Sequence, residues 1–272
     1  MKHYPCDLCG EDSPIEIEVC RKYTGGQPIH VCSLCGLVYV TERRSTAEVA
    51  QSWGSIYNAG VYDPAWPAVQ ARLTYVAAHV RATVGVSGKK VLDIGCGNGA
   101  LLRMLPEAKG RLGVDPGAPH QAMPNGFPTI FPLTSAEIAK ERPGWADITL
   151  LTWTLENCAE PASVLADAYT LTADGGYVVV ATGSRLMVPF KKRLSQYLST
   201  NPQDTHPNRY SAKTLVGMFH MARCPEVHVN RHEDSDVLVV IGFKSHGRLQ
   251  FSQMERPGEV IDFFNRWDRE WP

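Results

Sequence analysis

Two cysteine pairs near the start of the chain have the spacing of metal ligands. Cys6 and Cys9 form one C-x-x-C pair, Cys32 and Cys35 form another, and 22 residues separate the two pairs. Four thiolates in this pattern suit tetrahedral zinc, and because they fill the coordination shell they predict a structural site in a small ribbon. Spare thiols or an iron–sulfur cluster are the alternatives. Cys20, between the pairs, is predicted to be a small buried residue.

A second feature with chemical potential is the stretch KKVLDIGCGNGALLRML, from Lys89 to Leu105. Its pattern predicts a strand, a glycine turn and a helix, and glycine there lets a ligand approach bare backbone N–H groups. Asp93 lies within this strand, and Asp115 closes the next one, RLGVD. The motif also fits the dinucleotide fingerprint G-x-G-x-x-G/A, in which an acid in the place of Asp115 holds a ribose. A carboxylate has two acceptor oxygens and therefore suits the two neighbouring hydroxyls of a ribose.

The segment VLDIGCGNG resembles the first motif of the class I S-adenosylmethionine (SAM) methyltransferases. The resemblance continues through the acid at 115, the strand ADITLLT and the turn LTADGG. It implies that the glycine loop holds the methionine end of SAM and that Asp115 holds the ribose hydroxyls. For Tyr62, which lies upstream of the glycine loop, plain packing is the alternative to a contact with the cofactor. The implied cofactor-binding residues are Asp93, Gly95, Cys96, Gly97, Asp115, Pro116, Thr134, Trp153 and Tyr62.

Apolar runs between turn residues predict the elements that position these groups. They indicate a helix over 69–84, strands at 129–131, 146–152 and 237–243, and a turn at 174–176. Ser135 or Glu137 is predicted to cap a helix. With the resemblance, this pattern predicts an α/β fold, a doubly wound Rossmann-like sheet of seven strands with a small N-terminal zinc ribbon. The predicted domains are a zinc ribbon (1–42), a helical linker or cap (43–86), a SAM-binding methyltransferase domain (87–246) and a C-terminal helical tail (247–272).

Polar groups gather after the predicted fifth strand, in an insertion that contains DTHPNRYS at 204–211. Sites in open α/β sheets lie beyond the carboxyl ends of the strands, so this loop and the residues after the fourth strand are candidates for chemistry. The three basic residues at 191–193 fit a solvent-exposed surface as well as they fit a phosphate-binding site. Helix capping and turn chemistry account for Asp204 and Ser211 but do not require His206. A structural hydrogen bond is the alternative for this histidine.

The order of zinc ribbon, tyrosine-rich lead-in, SAM domain and histidine-containing loop resembles the sugar C-methyltransferases that act on nucleotide-linked keto-deoxysugars. The additional C-terminal domain of that family has no counterpart in this sequence. The family carries a histidine–glutamate–histidine motif in the loop. His206 matches its second histidine, whereas Asp204 and Thr205 replace the other two members. Asn157 stands where the family has a further histidine.

This resemblance implies that His206 removes a proton next to a ketone, with Tyr210 or Arg209 stabilising negative charge. The predicted function is SAM-dependent methylation of a small molecule, with a sugar or sugar nucleotide favoured, in polysaccharide or natural-product biosynthesis. The alternatives are a zinc-ribbon RNA methyltransferase, an O- or N-methyltransferase of another small metabolite, a non-catalytic SAM-binding module and an NAD oxidoreductase.

Composition restricts the partners. The 272 residues carry a net charge of -1 and give a pI near 6.7, so the chain lacks the basic excess typical of nucleic-acid binding. No apolar run approaches the roughly 18 residues that span a bilayer, and MKHYPCDLCG lacks a signal core, which predicts a cytoplasmic protein. Apolar residues at helical spacing near the C-terminus predict packing against the chain's own domain or, in a homodimer, against a second copy. These residues are Val260, Phe264, Trp267 and Trp271.

Overall fold

The computed structural model describes residues 1–58, 66–118, 128–185, 192–198, 206–233, 237–247 and 254–271. Tyr62, Asp204 and Thr205, which the sequence singled out, lie outside these ranges, as does position 191.

Short strands at the N-terminus precede longer ones in the second half of the chain. In chain order the strands are β1 (Lys2–His3), β2 (Pro14–Glu16), β3 (His30–Cys32), β4 (Val38–Tyr39), β5 (Glu42–Arg43), β6 (Lys90–Ile94), β7 (Gly110–Val114), β8 (Thr129–Phe131), β9 (Ala146–Thr152), β10 (Thr172–Thr182), β11 (Asn208–Arg209), β12 (Glu226–Val229) and β13 (Leu238–Phe243). The α-helices are α1 (Thr46–Asn58), α2 (Pro67–Val84), α3 (Ala100–Arg103), α4 (Ser135–Glu141), α5 (Pro161–Leu171), α6 (Leu194–Tyr197), α7 (Ala212–Met221) and α8 (Pro257–Glu270).

Seven strands form the central sheet, in the order β12-β13-β10-β9-β6-β7-β8. The pairs from β10 through β9, β6 and β7 to β8 are parallel. Strand β13 is antiparallel to β10, and β12 is antiparallel to β13. Helices α3, α4 and α5 lie in the connections from β6 to β7, from β8 to β9 and from β9 to β10, as crossover connections require. This architecture confirms the predicted α/β, Rossmann-like sheet of seven strands.

Most strand predictions hold to the residue, and one turn prediction is wrong. Strands β8 and β9 have the predicted bounds, and β13 begins one residue later than predicted. The residues 174–176 do not form a separate turn, because they lie within β10. There the pairing of β10 with β9 shifts between Thr172 and Tyr177. Gly175, with a φ of +75°, allows the backbone to bulge at this point instead of leaving the sheet.

Apolar side chains cover both faces of the central sheet. On one face, Val91, Ile148 and Val179 belong to a cluster with Leu73 and Val76 of α2. The opposite face contributes to a larger cluster that includes residues of α4, α5 and α7. Because side chains of a strand alternate between faces, β6 supplies both clusters. The predicted helix over 69–84 corresponds to α2 and is therefore one of the layers that cover the sheet.

The N-terminal ribbon forms a second sheet, and its fourth strand comes from a distant part of the chain. The order of this sheet is β11-β4-β3-β2. Strand β11 pairs with β4 through Asn208 opposite Tyr39 and Arg209 opposite Val38. The segment that follows His206 is thus an edge strand of the ribbon, although the sequence predicted only a loop before a helix.

The C-terminal helix packs on the ribbon. Val260, Phe264 and Trp267 of α8 are buried in a cluster with the apolar interior of the ribbon, including Ile29 and Val38. Three of the four residues of the apolar stripe predicted at the C-terminus therefore pack within their own chain, whereas the fourth, Trp271, is 37% exposed. Across the described parts of the chain, no helix is both long and apolar enough to cross a bilayer.

Candidate functional site

A cleft of about 430 Å³ opens at the carboxyl ends of β6, β7 and β9. Nearly all of the residues that the sequence assigned to a cofactor line it. The cofactor candidates on its wall are Asp93, Gly95, Cys96, Gly97, Asp115, Pro116, Thr134 and Trp153. The remaining candidate, Tyr62, lies outside the described residues.

The glycine loop after β6 needs its glycines for backbone conformation and for space. Gly95, Gly97 and Gly99 have φ values of +71°, +53° and +74°, in the left-handed region that a Cβ disfavours. A Cβ on Gly95 would lie 2.5 Å from Oγ1 of Thr154, which itself donates a hydrogen bond to the carbonyl of Ile94. The loop is therefore packed directly against the residues that follow β9.

Two buried carboxylates stand at this loop. Asp115 accepts hydrogen bonds from the backbone N–H groups of Gly97, at 2.9 Å, and Gly117, at 2.8 Å. Burial raises the pKa of Asp115, and these N–H groups oppose the rise. Asp93 is 1% exposed, and its Oδ1 has no hydrogen-bond partner among the described residues. Burial, followed by the charge of Asp115, raises the pKa of Asp93 well above its usual value, so it can carry a proton and donate.

Helix α1 covers the cleft from the side of Asp115. Val49, Ala50 and Trp53 line the cavity. A Cβ on Gly117 would lie 2.8 Å from the carbonyl oxygen of Ala50, so α1 lies closely over the turn that follows β7. The sequence prediction for the stretch SWGSIYNAGVYDPAW (52–66) named Tyr62, which lies outside the described residues, and gave α1 no role. Trp53, in the same stretch, is the signal that could have identified this wall.

Thr134 and Trp153 occupy special backbone positions on the cleft wall. Thr134, which the sequence did not propose as a cap, is the N-cap of α4, and Glu137 caps the helix with it in a capping box, as predicted for Glu137 but not for Ser135. Ser135 instead donates a hydrogen bond to Asp167 at 2.7 Å. Trp153 has a φ of +53°, which is strained for an aromatic residue. Its N–H donates to the carbonyl of Ala181 at 2.7 Å, so the neighbouring strand holds this conformation.

The structure brings His206 to the cleft wall through Asn157, which lines the cavity. Asn157 Nδ2 donates to the carbonyl of Trp153 at 2.9 Å, which leaves Oδ1 as the acceptor for His206 Nδ1, also at 2.9 Å. This network fixes the tautomer of neutral His206 with the proton on Nδ1 and a lone pair on Nε2.

His206 is a weaker base than an ordinary histidine. The residue keeps exposed surface, yet protein atoms surround its ring densely enough that desolvation lowers its pKa to about 4. The charges of Arg209 and Lys192 contribute to this shift, after desolvation. His206 is therefore neutral, and able to accept a proton, at neutral pH.

Arg209 and Tyr210 are buried beside His206 but do not line the cleft. Arg209 Nη1 donates to the carbonyl of His206 at 2.8 Å, and its Nε has no partner among the described residues. The hydroxyl of Tyr210 likewise has no hydrogen-bond partner within the described ranges, and burial raises its pKa well above the usual value. Tyr210 is therefore a neutral hydroxyl that can still donate a hydrogen bond.

Glu156, one of the residues after the fourth strand that the sequence marked as candidates for chemistry, is a buried acid directly before Asn157. The side chain is 6% exposed, and its Oε2 has no partner in the described part of the chain. Burial raises its pKa to about 7, partly offset by its own backbone N–H and by the hydroxyl of Thr182.

The ribbon cysteines converge on one point. The sulfurs of Cys6, Cys9, Cys32 and Cys35 all lie within 4.8 Å of one another, with 3.5 Å between Cys6 and Cys35 and 3.4 Å between Cys9 and Cys32. Tetrahedral zinc with Zn–S bonds of about 2.3 Å places its sulfurs roughly 3.8 Å apart. All eight cysteines of the chain are free thiols, so these four could hold a metal ion. Cys20 is buried as predicted, in the separate apolar cluster between the ribbon and α8.

Known proteins with similar sequences are methyltransferases. A family model described as a methyltransferase domain matches residues 69–222. A ubiquinone biosynthesis O-methyltransferase of Photobacterium profundum is 30% identical over 195 residues, which are 67% of this chain and 81% of that protein. The Pseudomonas aeruginosa protein of that description is 35% identical over 109 residues, 37% of this chain. The chain spans about half of the length of that relative, 47%.

Solved structures show the same fold at low sequence identity. A 1,6-didemethyltoxoflavin-N1-methyltransferase of Burkholderia thailandensis, with 1,6-didemethyltoxoflavin and S-adenosylhomocysteine bound, superposes with a TM-score of 0.58 at 14% identity, covering 78% of this chain and 96% of that one. A candidate O-methyltransferase of Nostoc punctiforme gives a TM-score of 0.54 at 18% identity, covering 71% and 60% of the two chains.

Proposed function

Because this chain belongs to the family of SAM-dependent methyltransferase domains, we propose that its cleft binds SAM and that a small molecule beside Asn157 and His206 receives the methyl group. The main support is that the glycine loop, Asp115 and Asn157 line one cleft, and that His206, which does not itself line the cleft, is hydrogen-bonded to Asn157. Bound SAM supplies a methyl group activated by a positively charged sulfur.

The residues of the cleft fit that cofactor. Each oxygen of Asp115 already accepts one backbone N–H, and the remaining lone pairs can accept the two ribose hydroxyls. Four acidic residues line the cleft, and its described lining contains no lysine, arginine or histidine. Because Asp93 can carry a proton, the negative charge comes from the other three, and it attracts the sulfonium and ammonium groups of SAM. The four acids are Asp93, Asp115, Glu160 and Asp167.

An oxygen or carbon acceptor must lose a proton before or during methyl transfer, and His206 is the base that we propose for this step. Its Nδ1 proton is committed to Asn157, so Nε2 is the nitrogen that can accept. On a keto sugar, Nε2 would take a proton from the carbon next to the ketone, and that carbon would then form the bond to the methyl group. We propose that Tyr210, a neutral buried donor, and the guanidinium of Arg209 stabilise the negative charge; because neither lines the cleft, this role requires the acceptor to reach past the cleft wall to them.

A keto-sugar nucleotide is the acceptor that we favour. Its support is the resemblance of DTHPNRYS to the loop of the sugar C-methyltransferases, together with the charges around His206. Arg209 is buried, with one N–H unpartnered among the described residues, and Lys192 is exposed close by. These cations, unlike the acidic cleft, suit the phosphates of a nucleotide.

O-methylation is the second candidate, and the named relatives favour it. The Photobacterium profundum protein is described as an O-methyltransferase, and it matches over two thirds of this chain. His206 can deprotonate a hydroxyl as well as a carbon acid, so its geometry does not separate the two reactions.

Single-turnover assays with methyl-labelled SAM test the proposal against keto-sugar nucleotides and against hydroxyl-bearing small molecules. C-methylation predicts that the protein, with S-adenosylhomocysteine bound, exchanges the hydrogen next to the ketone for deuterium in D₂O. His206→Asn should abolish this exchange, and His232→Asn, an exposed histidine, is the matched control. Transfer to hydroxyl acceptors without any such exchange would favour O-methylation. If no acceptor received the methyl group, the proposal that this chain methylates a small molecule would be contradicted.

We assign the four-cysteine site to zinc because four clustered sulfurs are the donor set of structural zinc and leave no position for substrate. A cytoplasmic location and a homodimer stay predictions.

A further inference from the structure

The segment that carries His206 is bound to the ribbon by backbone hydrogen bonds. Val40 N–H donates to the carbonyl of Pro207 at 2.8 Å, directly after His206. The next two residues form β11, the edge strand opposite Tyr39 and Val38 of β4. Backbone pairing of this kind fixes the register of β11 against β4, and with it the position of the adjacent His206 and the face on which it lies.

The ribbon also holds the other side of the His206 contact. Arg43, at the ribbon's end, is 3% exposed and donates through Nη1 to the carbonyl of Ala159 at 2.6 Å and to Asp7 Oδ2 at 2.5 Å. Its Nε donates to the carbonyl of Val40 at 2.6 Å. Ala159 lines the cleft and lies two residues after Asn157. One guanidinium therefore connects β4 to the segment that contains Asn157.

The cysteine cluster stands at the base of this connection. Cys32 ends β3, and Cys35 precedes β4 by three positions, so the second cysteine pair forms the turn between the two strands. Cys32 N–H donates to the carbonyl of Leu37 at 2.9 Å and closes that turn. A metal ion on these sulfurs would set the path along which β4 approaches β11.

From these contacts we propose that the metal-bound ribbon is the positioning element for His206, acting through β4 and Arg43 on both partners of the His206–Asn157 hydrogen bond. The expected effect on turnover rests on the function proposed for His206. The expected effect on the position of its side chain does not. A ribbon that merely stabilises the chain would affect all sites alike, whereas a positioning ribbon affects the acceptor side and spares the SAM side.

Arg43 variants of the full, zinc-loaded chain test this proposal. Arg43→Lys keeps a cation for Asp7 but cannot replace all three donor contacts, and Arg43→Gln removes the charge as well. Lys22→Gln is the matched control, because Lys22 pairs with Asp268 on the opposite, α8 side of the ribbon. Each variant is measured for bound zinc, for SAM affinity by calorimetry, for turnover, and for the ¹⁵N chemical shifts of His206, assigned by comparison with His206→Asn.

Both Arg43 variants should keep their zinc, shift the ring resonances of His206 and lower kcat at least about tenfold, since small displacements of a catalytic group are costly. Their SAM Kd should stay within about twofold of the wild-type value, and the control should match the wild type throughout. Unchanged His206 resonances in zinc-loaded Arg43→Lys would overturn the proposal, as would parallel losses of SAM affinity and turnover. If Arg43→Gln does not fold, Arg43→Lys alone decides.

The same measurements keep this proposal separate from the proposed function. If His206→Asn leaves turnover intact, His206 is not the base. The resonance shifts in the Arg43 variants would then still report whether the ribbon positions this side chain.

Discussion

His206 Nδ1 and Asn157 Oδ1 lie 2.9 Å apart although 49 positions separate the two residues in the chain. Asn157 is itself held by the carbonyl of Trp153, on the same cleft wall as the cofactor candidates. The contact therefore joins the proposed base to the cofactor side of the site. An amide in this position fixes the tautomer of the ring without adding charge to it.

Asn157→Asp should raise the pKa of His206, because a carboxylate beside Nδ1 favours the charged imidazolium. In the wild type the lowered pKa, about 4, keeps His206 deprotonated at neutral pH, so its protonation should not limit kcat until the pH falls well below 6.5, the ordinary histidine value. As the pH falls, the variant should begin to lose activity at a higher pH than the wild type does. The acidic limb of its pH–kcat profile should therefore shift to higher pH. The pH dependence of kcat with saturating SAM measures this shift. An acid limb at the wild-type position would contradict the proposed partnership.

Glu156→Gln should change how the stability of the protein depends on pH. The carboxyl of Glu156 has a pKa of about 7 in the folded chain, raised by burial from 4.5. Between these values the folded state keeps a proton that the unfolded state has lost, so wild-type stability falls as the pH rises from 4.5 to 7. Glutamine removes this term, and its advantage should grow by roughly 3 kcal/mol across that window.

Thermal or denaturant unfolding at several pH values measures that difference. The exposed Glu141→Gln is the control and should follow the wild-type curve. If Glu156→Gln also runs parallel to the wild type, Glu156 is ionised in the folded chain.

The elements that the sequence predicted correctly are those with strong local patterns. The strand at 146–152 is an apolar run between a polar turn and a polar loop, and it appears with the predicted bounds. The glycine loop and the two cysteine pairs were recognisable because each is a short motif in which every residue type has a local reason.

The features that were missed depend on contacts between distant segments. Strand β11 has two residues, and its partner β4 lies in the N-terminal ribbon, so no periodicity announces it. Trp53 of α1 was not named as a wall residue, because the type of an aromatic residue does not distinguish a cleft wall from a core. The hydrogen bond of Asn157 to His206 likewise required the folded chain.

Asp115→Asn should weaken SAM binding by roughly tenfold to a hundredfold, because hydrogen bonds to a charged group contribute about 1.5–3 kcal/mol. Gly97 and Gly117 donate to different oxygens of Asp115, so asparagine keeps an acceptor for only one of them, whereas alanine keeps none, and the loop should keep its fold better in the asparagine variant. Asp147→Asn is a matched control, since Asp147 accepts from Lys90 N–H at the opposite ends of the strands. Calorimetry measures the SAM affinity of both variants. An equal loss of affinity in Asp115→Asn and Asp147→Asn would mean that Asp115 does not contact the cofactor.

Gly95→Ala should destabilise the chain and lower its SAM affinity. Its φ of +71° disfavours any Cβ, and the Cβ would also collide with Thr154. Gly144→Ala is the matched control, because its φ is +66° and the space for a Cβ is open. The control should lose only the conformational term, about 1–2 kcal/mol. Thr154→Ala should partly rescue Gly95→Ala in a double-mutant cycle of unfolding free energies. Equal effects of the two glycine variants, with no rescue, would show that the contact with Thr154 costs nothing.

Cys32→Ala should abolish metal binding, whereas Cys20→Ala should leave it intact. Both side chains are fully buried, so removal of either sulfur costs packing, but only Cys32 belongs to the four-sulfur cluster. Three thiolates bind zinc less tightly than four, and the folding free energy that the metal contributes should fall with its affinity. Metal analysis of the purified chains should find one zinc ion in wild type and Cys20→Ala and little in Cys32→Ala, and Co²⁺ substitution should give tetrathiolate charge-transfer bands only in the first two. Equal metal content in all three proteins would remove Cys32 from the ligand set, and loss of metal from Cys20→Ala would show that Cys20 takes part.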